Sequence, residues 1–391
     1  MNIEKNISTL KWFSFFGGFG LYTPLAIIYY SQISGSFALG ISIFSVEMIS
    51  SALFEVPTGI FSDKIGRKKT VAIGAVCGVA YLTLYTLATN YILLFAGAVI
   101  AGLARSFFSG NNDALLHDTL LQLNKDGSYA GALGKVRSME QRALGISAVL
   151  GGLIATQSLR ATFGISILPQ LICLILSLKL IEPKVHTRES GNIYSHLNLA
   201  LKEFFANKKL RLLTLASSTT YALTESSFQF RSAFYQMLWP VWAIGLAQAL
   251  SNLGASVSFH YSGKILKKLG TIKALVAGNV YGRLVNIIGT AFPTVFSPLL
   301  MSSTSVIYGV LTVAKESLLQ KEYKQEQRAT MGSLNSLAGS VLFAIVSILL
   351  GTIADALNPA KALLIMQFFT ATTIIFYLLI ARHDRITKQK S

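Results

Sequence analysis

Apolar positions along this chain come in long unbroken runs, not in the short periodic patterns of soluble domains. Phe37 to Ile60 is one such run and Val71 to Ala88 is another. Between them stands GIFSDKIGRKKT, Gly59 to Thr70, which gathers Asp63, Lys64, Arg67, Lys68 and Lys69. The runs recur at lengths close to what a helix needs to cross hydrocarbon, roughly 20 residues for ~30 Å. They predict twelve membrane-spanning helices, over 11–33, 37–60, 70–88, 91–116, 134–157, 159–181, 210–231, 236–260, 273–291, 294–315, 329–353 and 359–381. A membrane barrel would show alternating segments of about ten residues instead. The first run extends to about Ile33 with no small-residue cleavage site behind it. That exceeds the about 7–15 apolar residues of a signal peptide, so it is read as a retained span.

The longest hydrophilic stretch, Glu182 to Lys209, divides the spans six and six. The expected fold is an all-α integral membrane protein of twelve transmembrane helices in two six-helix pseudo-repeats. Residues 1–181 form an N-terminal bundle, 182–209 a cytoplasmic central loop and 210–391 a C-terminal bundle. Composition agrees with this class. Of 391 residues 52% are hydrophobic and 13% charged, against about 25% charged in soluble domains. Cys77 and Cys173 fall inside apolar runs and read as small buried hydrophobes, not as a disulfide.

The net charge of +17 finds its explanation in topology. A nucleic-acid face would gather Lys and Arg on one soluble surface, and no soluble segment here is large enough to carry one. When the connections are numbered alternately, one set, including both termini, holds nearly all the Lys and Arg. The other holds only Arg160, Arg231 and Lys361, while Arg105, Arg142 and Arg283 lie within spans. This is the positive-inside signature and predicts both termini in the cytoplasm of a multi-pass inner-membrane protein, with added attraction to anionic inner-leaflet lipids.

The cluster at 59–70 therefore sits in a cytoplasmic turn between spans 2 and 3. Topology anchoring alone accounts for Lys64, Lys68 and Lys69, but not for Asp63 or for the spacing of Gly59 and Gly66. The turn after span 8, GKILKKLGTIK, repeats both glycines as Gly263 and Gly270 at an offset of 204 residues. LGGLIA at 150–155 and LLGTIA at 349–354 recur at an offset of 199. Two halves descended from one six-span unit produce such recurrences, and parallel six-span repeats are a transporter plan.

GIFSDKIGRKK resembles the loop 2–3 signature of the major facilitator superfamily, G-x-x-x-D-[RK]-x-G-R-[RK]-x, with matches at Gly59, Asp63, Lys64, Gly66, Arg67 and Lys68. The resemblance covers the whole chain, including the degraded second copy after span 8. FEVPTG (54–59) and SGNNDALLHD (109–118) resemble a broad bacterial branch of drug and metabolite exporters. What the resemblance implies is a gate. The motif Asp, Asp63, would meet the cytoplasmic start of span 11 near Ala329 to Gly332, and the motif Arg, Arg67, would bridge to an acid at the inner end of span 4, Asp118. A helix N-terminus carries about half a positive charge and suits a carboxylate. The network would hold the cytoplasmic side closed and break as the halves rock. In the second copy Lys267 replaces the Asp, so the matching gate is expected to be absent. Span 5 reads SAVLGG (147–152) where drug–proton antiporters of the superfamily often carry G-P-x-x-G-G, which puts antiport in doubt.

Ionisable side chains within spans cost at least ~2.5–3.5 kcal/mol each at mid-depth and are functional candidates. Glu47 lies near the middle of span 2 and shares a helical face with Ser51, Glu55 and Thr58. Arg105 stands at a similar depth on span 4, above Ser109, Asn112 and Asp113. Further polar stripes run along span 7 (Thr214, Ser218, Tyr221, Glu225) and span 10 (Ser305, Tyr308, Thr312, Lys315). In the family, spans 1, 4, 7 and 10 line the central cavity, so these stripes suit a substrate path; helix-packing contacts are the competing account. Glu47, Glu55, Arg105, Asn112, Asp113, Tyr221, Glu225 and Tyr308 are the candidates for substrate contact or proton coupling. Burial favours a neutral Glu47 and Arg105 a charged one, so a change in their separation would release or capture a proton; a fixed structural ion pair is the alternative. Glu55 and Asp113, near the inner boundary, suit gating, Arg283 a structural role, and His117 and His260 the interface. No phosphate loop, metal cluster, cofactor motif or nucleophile–base pair stands out.

The expectation is a non-enzymatic secondary transporter, a monomer without cofactor or nucleic-acid partner, exporting a small molecule in exchange for protons. A proton-coupled uptake symporter, a non-transporting receptor or scaffold, and a lipid flippase are the alternatives.

Overall fold

The computed structural model describes residues 3–125, 128–184, 204–205, 207–323 and 328–390, with side chains at 56, 63, 130, 208, 321, 328–330 and 380–390 excepted. The described residues are 87% helical, and no strand occurs among them. Helices cover all twelve expected segments. Nine segments are single helices: Phe37–Ile65 (span 2), Arg67–Leu87 (span 3), Tyr129–Ala155 (span 5), Leu159–Lys179 (span 6), Lys208–Tyr235 (span 7), Val241–Leu269 (span 8), Thr271–Ala291 (span 9), Arg328–Ala356 (span 11) and Pro359–Lys390 (span 12).

Spans 1, 4 and 10 were expected to be continuous and are broken. Span 1 runs as Lys5–Gly17, a short tight turn at Thr23–Leu25 and Ala26–Ser34. Its break holds Gly17, Gly18 and Gly20, poor helix formers, and Pro24, which has no N–H to donate. Span 4 divides into Tyr91–Phe108 and Asn111–Gln122, because Gly110 adopts φ +72° between them. Span 10 divides into Ser297–Ser302 and Ser305–Glu322. Among the described residues seven helical stretches are long and apolar enough to cross a membrane, with spans 4 and 10 each counted as one. Of the other five segments, span 1 is broken into helices of 13 and 9 residues, and span 5 carries Lys135, Arg137, Glu140 and Arg142.

The chain divides into two compact units. The first comprises Met1–Gly35, Ser42–Glu189 and Pro240–Ala249, and the second Ser36–Ile41, Ser190–Trp239 and Leu250–Ser391. One core of the first unit packs Leu10, Phe13, Val71, Leu116, Val136 and Cys173; another gathers Tyr29, Tyr30, Tyr85 and Phe163 around Leu82 and Leu94. The second unit packs Leu210, Leu213, Leu275, Met331 and Tyr377. In it Asp355 accepts from the backbone N–H groups of Phe37 and Ala38 at 2.6 and 2.9 Å. That carboxylate caps the first turn of span 2, whose N–H groups have no helical partner.

In hydrocarbon, close approach of backbones replaces the hydrophobic effect as the packing force. Gly102 on span 4 shows this in the first unit. A Cβ there would lie 2.5 Å from the Glu47 carbonyl oxygen and 2.6 Å from Ser50 Cβ, so only glycine lets spans 2 and 4 meet this closely. Gly309 does the same in the second unit, where a Cβ would lie 2.4 Å from the Phe259 nitrogen.

Candidate functional site

The charged turn begins with a backbone requirement. Span 2 ends at Ile65 and span 3 starts at Arg67, so Gly66 alone must reverse the chain, and it does so at φ +95° and ψ 153°. Residues with a side chain rarely adopt such a positive φ. A Cβ on Gly66 would also lie 2.9 Å from the carboxyl carbon of Glu182. Glu182 is close because its two oxygens accept from the backbone N–H groups of Arg67 (2.8 Å) and Lys68 (2.7 Å). Both are first-turn donors of span 3 with no helical acceptor, and a carboxylate is the strongest partner the helix end can take.

With the backbone of Arg67 held this way, its side chain reaches span 4. Arg67 Nε donates to Asp118 Oδ2 at 2.7 Å, and His117 Nδ1 lies 3.5 Å from the other oxygen of Asp118. The structure thus brings together Gly66, Arg67, Lys68 and Asp118. It leaves Lys64 exposed and Gly59 facing open space. The side chain of Asp63, and those of 329 and 330 at the expected start of span 11, lie outside the described residues.

From this turn a series of polar contacts climbs between spans 2 and 4. Ser62 Oγ donates to Asn111 Oδ1 at 2.5 Å, and Asn111 Nδ2 donates to the Phe107 carbonyl at 2.8 Å. One turn higher Thr58 Oγ1 lies 3.3 Å from the Ser106 carbonyl. Above that is the Gly102 crossing. Because Gly102 presses on Glu47, Ser50 and Ser51, Arg105 less than a turn away is carried to the level of Glu47, and its Nη1 stands 3.8 Å from Glu47 Oε1. This is longer than a hydrogen bond but within ion-pair range. The Arg105 side chain is 54% exposed and that of Glu47 27%. The Glu47 carboxylate also acts electrostatically on Tyr22, Tyr30, Tyr81 and Tyr85. The Tyr22 and Tyr81 hydroxyls share a hydrogen bond of 3.2 Å. These two tyrosines, with Glu140 and Gln170, line a cavity of about 180 Å³ at the break in span 1.

The remaining candidates of the first unit separate. Asp113 pairs with Arg137 at 2.8 Å, and Arg137 in turn with Glu140 at 3.2 Å, linking span 4 to span 5. Asn112 Oδ1 is buried without a hydrogen-bond partner. Glu55 forms no ion pair among the described residues. In the second unit Glu225 accepts from Gln229 at 2.8 Å and acts electrostatically on Tyr308 and Lys315, so the stripes of spans 7 and 10 face each other there. Tyr308 packs edge-on against Phe259, and Tyr221 packs against Phe343 and Gly339 of span 11. Arg283, expected to have a structural role, donates from Nη1 to the Gln367 side chain of span 12 at 2.9 Å.

Two carboxylates that organise helix ends were missed in the sequence. Glu182 reads as the first residue of a hydrophilic loop, more than a hundred residues from the turn it caps. Asp355 reads as an ordinary acid at the end of span 11. An acid placed just beyond a span, where a distant helix must begin, is the signal that would have found both.

Twelve helical segments among the described residues, seven of them long and apolar enough to cross a membrane, define a multi-pass helical membrane protein. It belongs to the Major Facilitator Superfamily, whose family model matches residues 9–345. It is similar to an uncharacterised MFS-type transporter of Methanocaldococcus jannaschii, at 23% identity over 97% of this chain and 99% of that protein. It is also similar to the MFS-type transporter YxaM of Bacillus subtilis, at 20% identity over 93% and 92%. Among solved structures, the nucleoside transporter NupG superposes with a TM-score of 0.80 at 16% identity, covering 97% of this chain and 99% of that one. A bacterial homologue of the human lysosomal transporter Spinster, inward-facing and unoccupied, superposes with a TM-score of 0.77 at 15% identity, covering 97% of each chain. At these identities the structural likeness carries the fold alone.

Proposed function

We propose that this transporter exports a small molecule across the cytoplasmic membrane by alternating access, driven by exchange for protons. The bundles are residues 1–181 and 210–391, joined by a cytoplasmic loop over 182–209, with both termini cytoplasmic, and the protein acts as a monomer. Asp63, Arg67 and Asp118, with Gly59, Lys64, Gly66 and Lys68 around them, form the cytoplasmic gate. Glu47 and Arg105 carry coupling; Glu55, Asn112, Asp113, Tyr221, Glu225 and Tyr308 assist substrate or proton passage.

The observation that carries this reading is the 3.8 Å separation of Glu47 and Arg105. A buried structural ion pair needs close contact and further hydrogen bonds to offset desolvation. A partly exposed pair held beyond hydrogen-bond distance is one whose partners can separate, and separation changes the proton affinity of the carboxylate. Support for the cytoplasmic side comes from the Lys and Arg asymmetry of the loops. The test is uptake and efflux of a substrate panel in inverted vesicles, with and without an imposed proton gradient. Export that rises with the gradient is expected. Gradient-driven accumulation in the opposite sense would establish the uptake symporter, and no flux of any panel member would favour a receptor or scaffold.

A further inference from the structure

The second unit holds a layer with two partly buried arginines, each with its Nε atom buried, and among the described residues no acid pairs with either. Arg231 of span 7 donates from Nη2 to Asn286 Oδ1 (3.0 Å) and Thr304 Oγ1 (3.2 Å), and its Nη1 lies 3.5 Å from the Met301 carbonyl. Arg283 stands three residues before Asn286, on the same side of span 9, and its Nη1 reaches Gln367 of span 12. The two guanidinium charges are near enough to repel one another. Every acceptor they have is a neutral amide, hydroxyl or carbonyl. Among the described residues no carboxylate lies within 4.0 Å of either.

Two donors in this layer are buried with no hydrogen-bond partner, Nε of Arg231 and Nε of Arg283, and the Tyr235 hydroxyl stands beside Arg231 and Ser302. Tyr235 is one turn beyond Arg231 on the same face of span 7. A lysine here could shed its proton, but a guanidinium stays charged at any working pH. Buried donors without acceptors are costly, and two like charges on neutral partners add to that cost. Both costs fall if a negative charge from outside the chain occupies the layer. We propose that the second unit binds a small monovalent inorganic anion of the halide class at Arg231, Arg283 and Tyr235. Single N–H and O–H donors from different helices suit a spherical ion, whereas a planar carboxylate would select paired guanidinium donors.

The test uses the full chain purified in detergent, with its melting midpoint followed as sodium chloride is exchanged for sodium gluconate at constant ionic strength. The midpoint of the natural protein is expected to fall by about 1–2 °C when chloride is removed, the shift that a roughly fivefold weakening of the folded state produces in a chain longer than about 250 residues. Gln367→Glu, which supplies Arg283 with a carboxylate from within the chain, is expected to remove the chloride dependence while the protein stays folded. Crystals grown in bromide are expected to show an anomalous peak within hydrogen-bond distance of Arg231 Nε or Arg283 Nε. A midpoint indifferent to the anion, an unchanged chloride dependence in Gln367→Glu, or bromide crystals without a peak in this layer would each overturn the proposal, the last two outcomes leaving water or another site as the partner.

Discussion

The turn at 59–70 and the turn at 263–273 share a backbone and differ in almost everything attached to it. Gly66 and Gly270 both stand between two helices at positive φ, +95° and +80°, with ψ of 153° and 150°. The duplicated geometry is therefore intact after each half has diverged. Around Gly66 the turn is wired: Glu182 caps the next helix, Arg67 reaches Asp118, and a Cβ would strike the Glu182 carboxyl. At Gly270 a Cβ would meet nothing within 4 Å, and Lys267 stands where the first copy has Asp63. A one-residue reversal is what topology needs from both turns. The charge network is what only one of them has added.

The same contrast runs into the membrane. At the repeat offset Ser251 occupies the place of Glu47. The first unit sets a carboxylate beside its intramembrane Arg105, while the second leaves Arg231 and Arg283 on neutral partners. Coupling chemistry is accordingly sought in the first unit and anion binding in the second.

Three measurements can break this comparison. The largest effect is expected at the paired glycines. Both Gly66→Ala and Gly270→Ala must place a side chain at positive φ and extended ψ, a region nearly reserved to glycine, at a cost of about 1–3 kcal/mol. Gly66→Ala also drives a methyl into Glu182, so its folded yield and melting midpoint in detergent should fall clearly below those of Gly270→Ala. Equal losses would mean that the Glu182 contact is not rigid. A smaller effect is expected in transport. Asp63→Asn should lower turnover and raise labelling of cytoplasmic-side cysteines more than Lys68→Gln does, whereas Lys267→Ala should leave transport nearly unchanged. A Lys267→Ala loss as large as that of Asp63→Asn would end the claim of asymmetry. The smallest effect is expected at the cap: Glu182→Gln keeps the shape but removes the charge, and should cost about 0.5–2 kcal/mol of stability. No shift in the melting midpoint would reduce Glu182 to a bystander.

Much of this was legible in the sequence, because membrane helices announce themselves by length and the turn by its glycine spacing. The partnership of Arg67 with Asp118 followed from a family pattern and a helix register. What stayed hidden depends on depth and distance. Gly110 lies in a polar stretch that reads as loop or helix equally well, so the break in span 4 went unseen. Gly102 looks like any small residue until Ser50 and Ser51 are placed against it. Glu182 and Asp355 cap helices whose starts are remote in the chain, and their position just beyond a span is the one local mark of that task. The partner of Arg283 stayed hidden because Gln367, facing it from span 12, gives no sequence signal of its own.

The most direct test of the account is Glu47→Gln, assayed in reconstituted vesicles for gradient-driven transport and for substrate exchange without a gradient. Gln keeps the size and hydrogen-bonding capacity of Glu47 and cannot exchange a proton at any working pH. The account predicts that gradient-driven transport is abolished while exchange without a gradient remains largely intact, and that Arg105→Ala, which leaves the carboxylate unpaired, impairs both. Full proton-driven transport in Glu47→Gln would contradict it, and would make the pair a structural contact between spans 2 and 4.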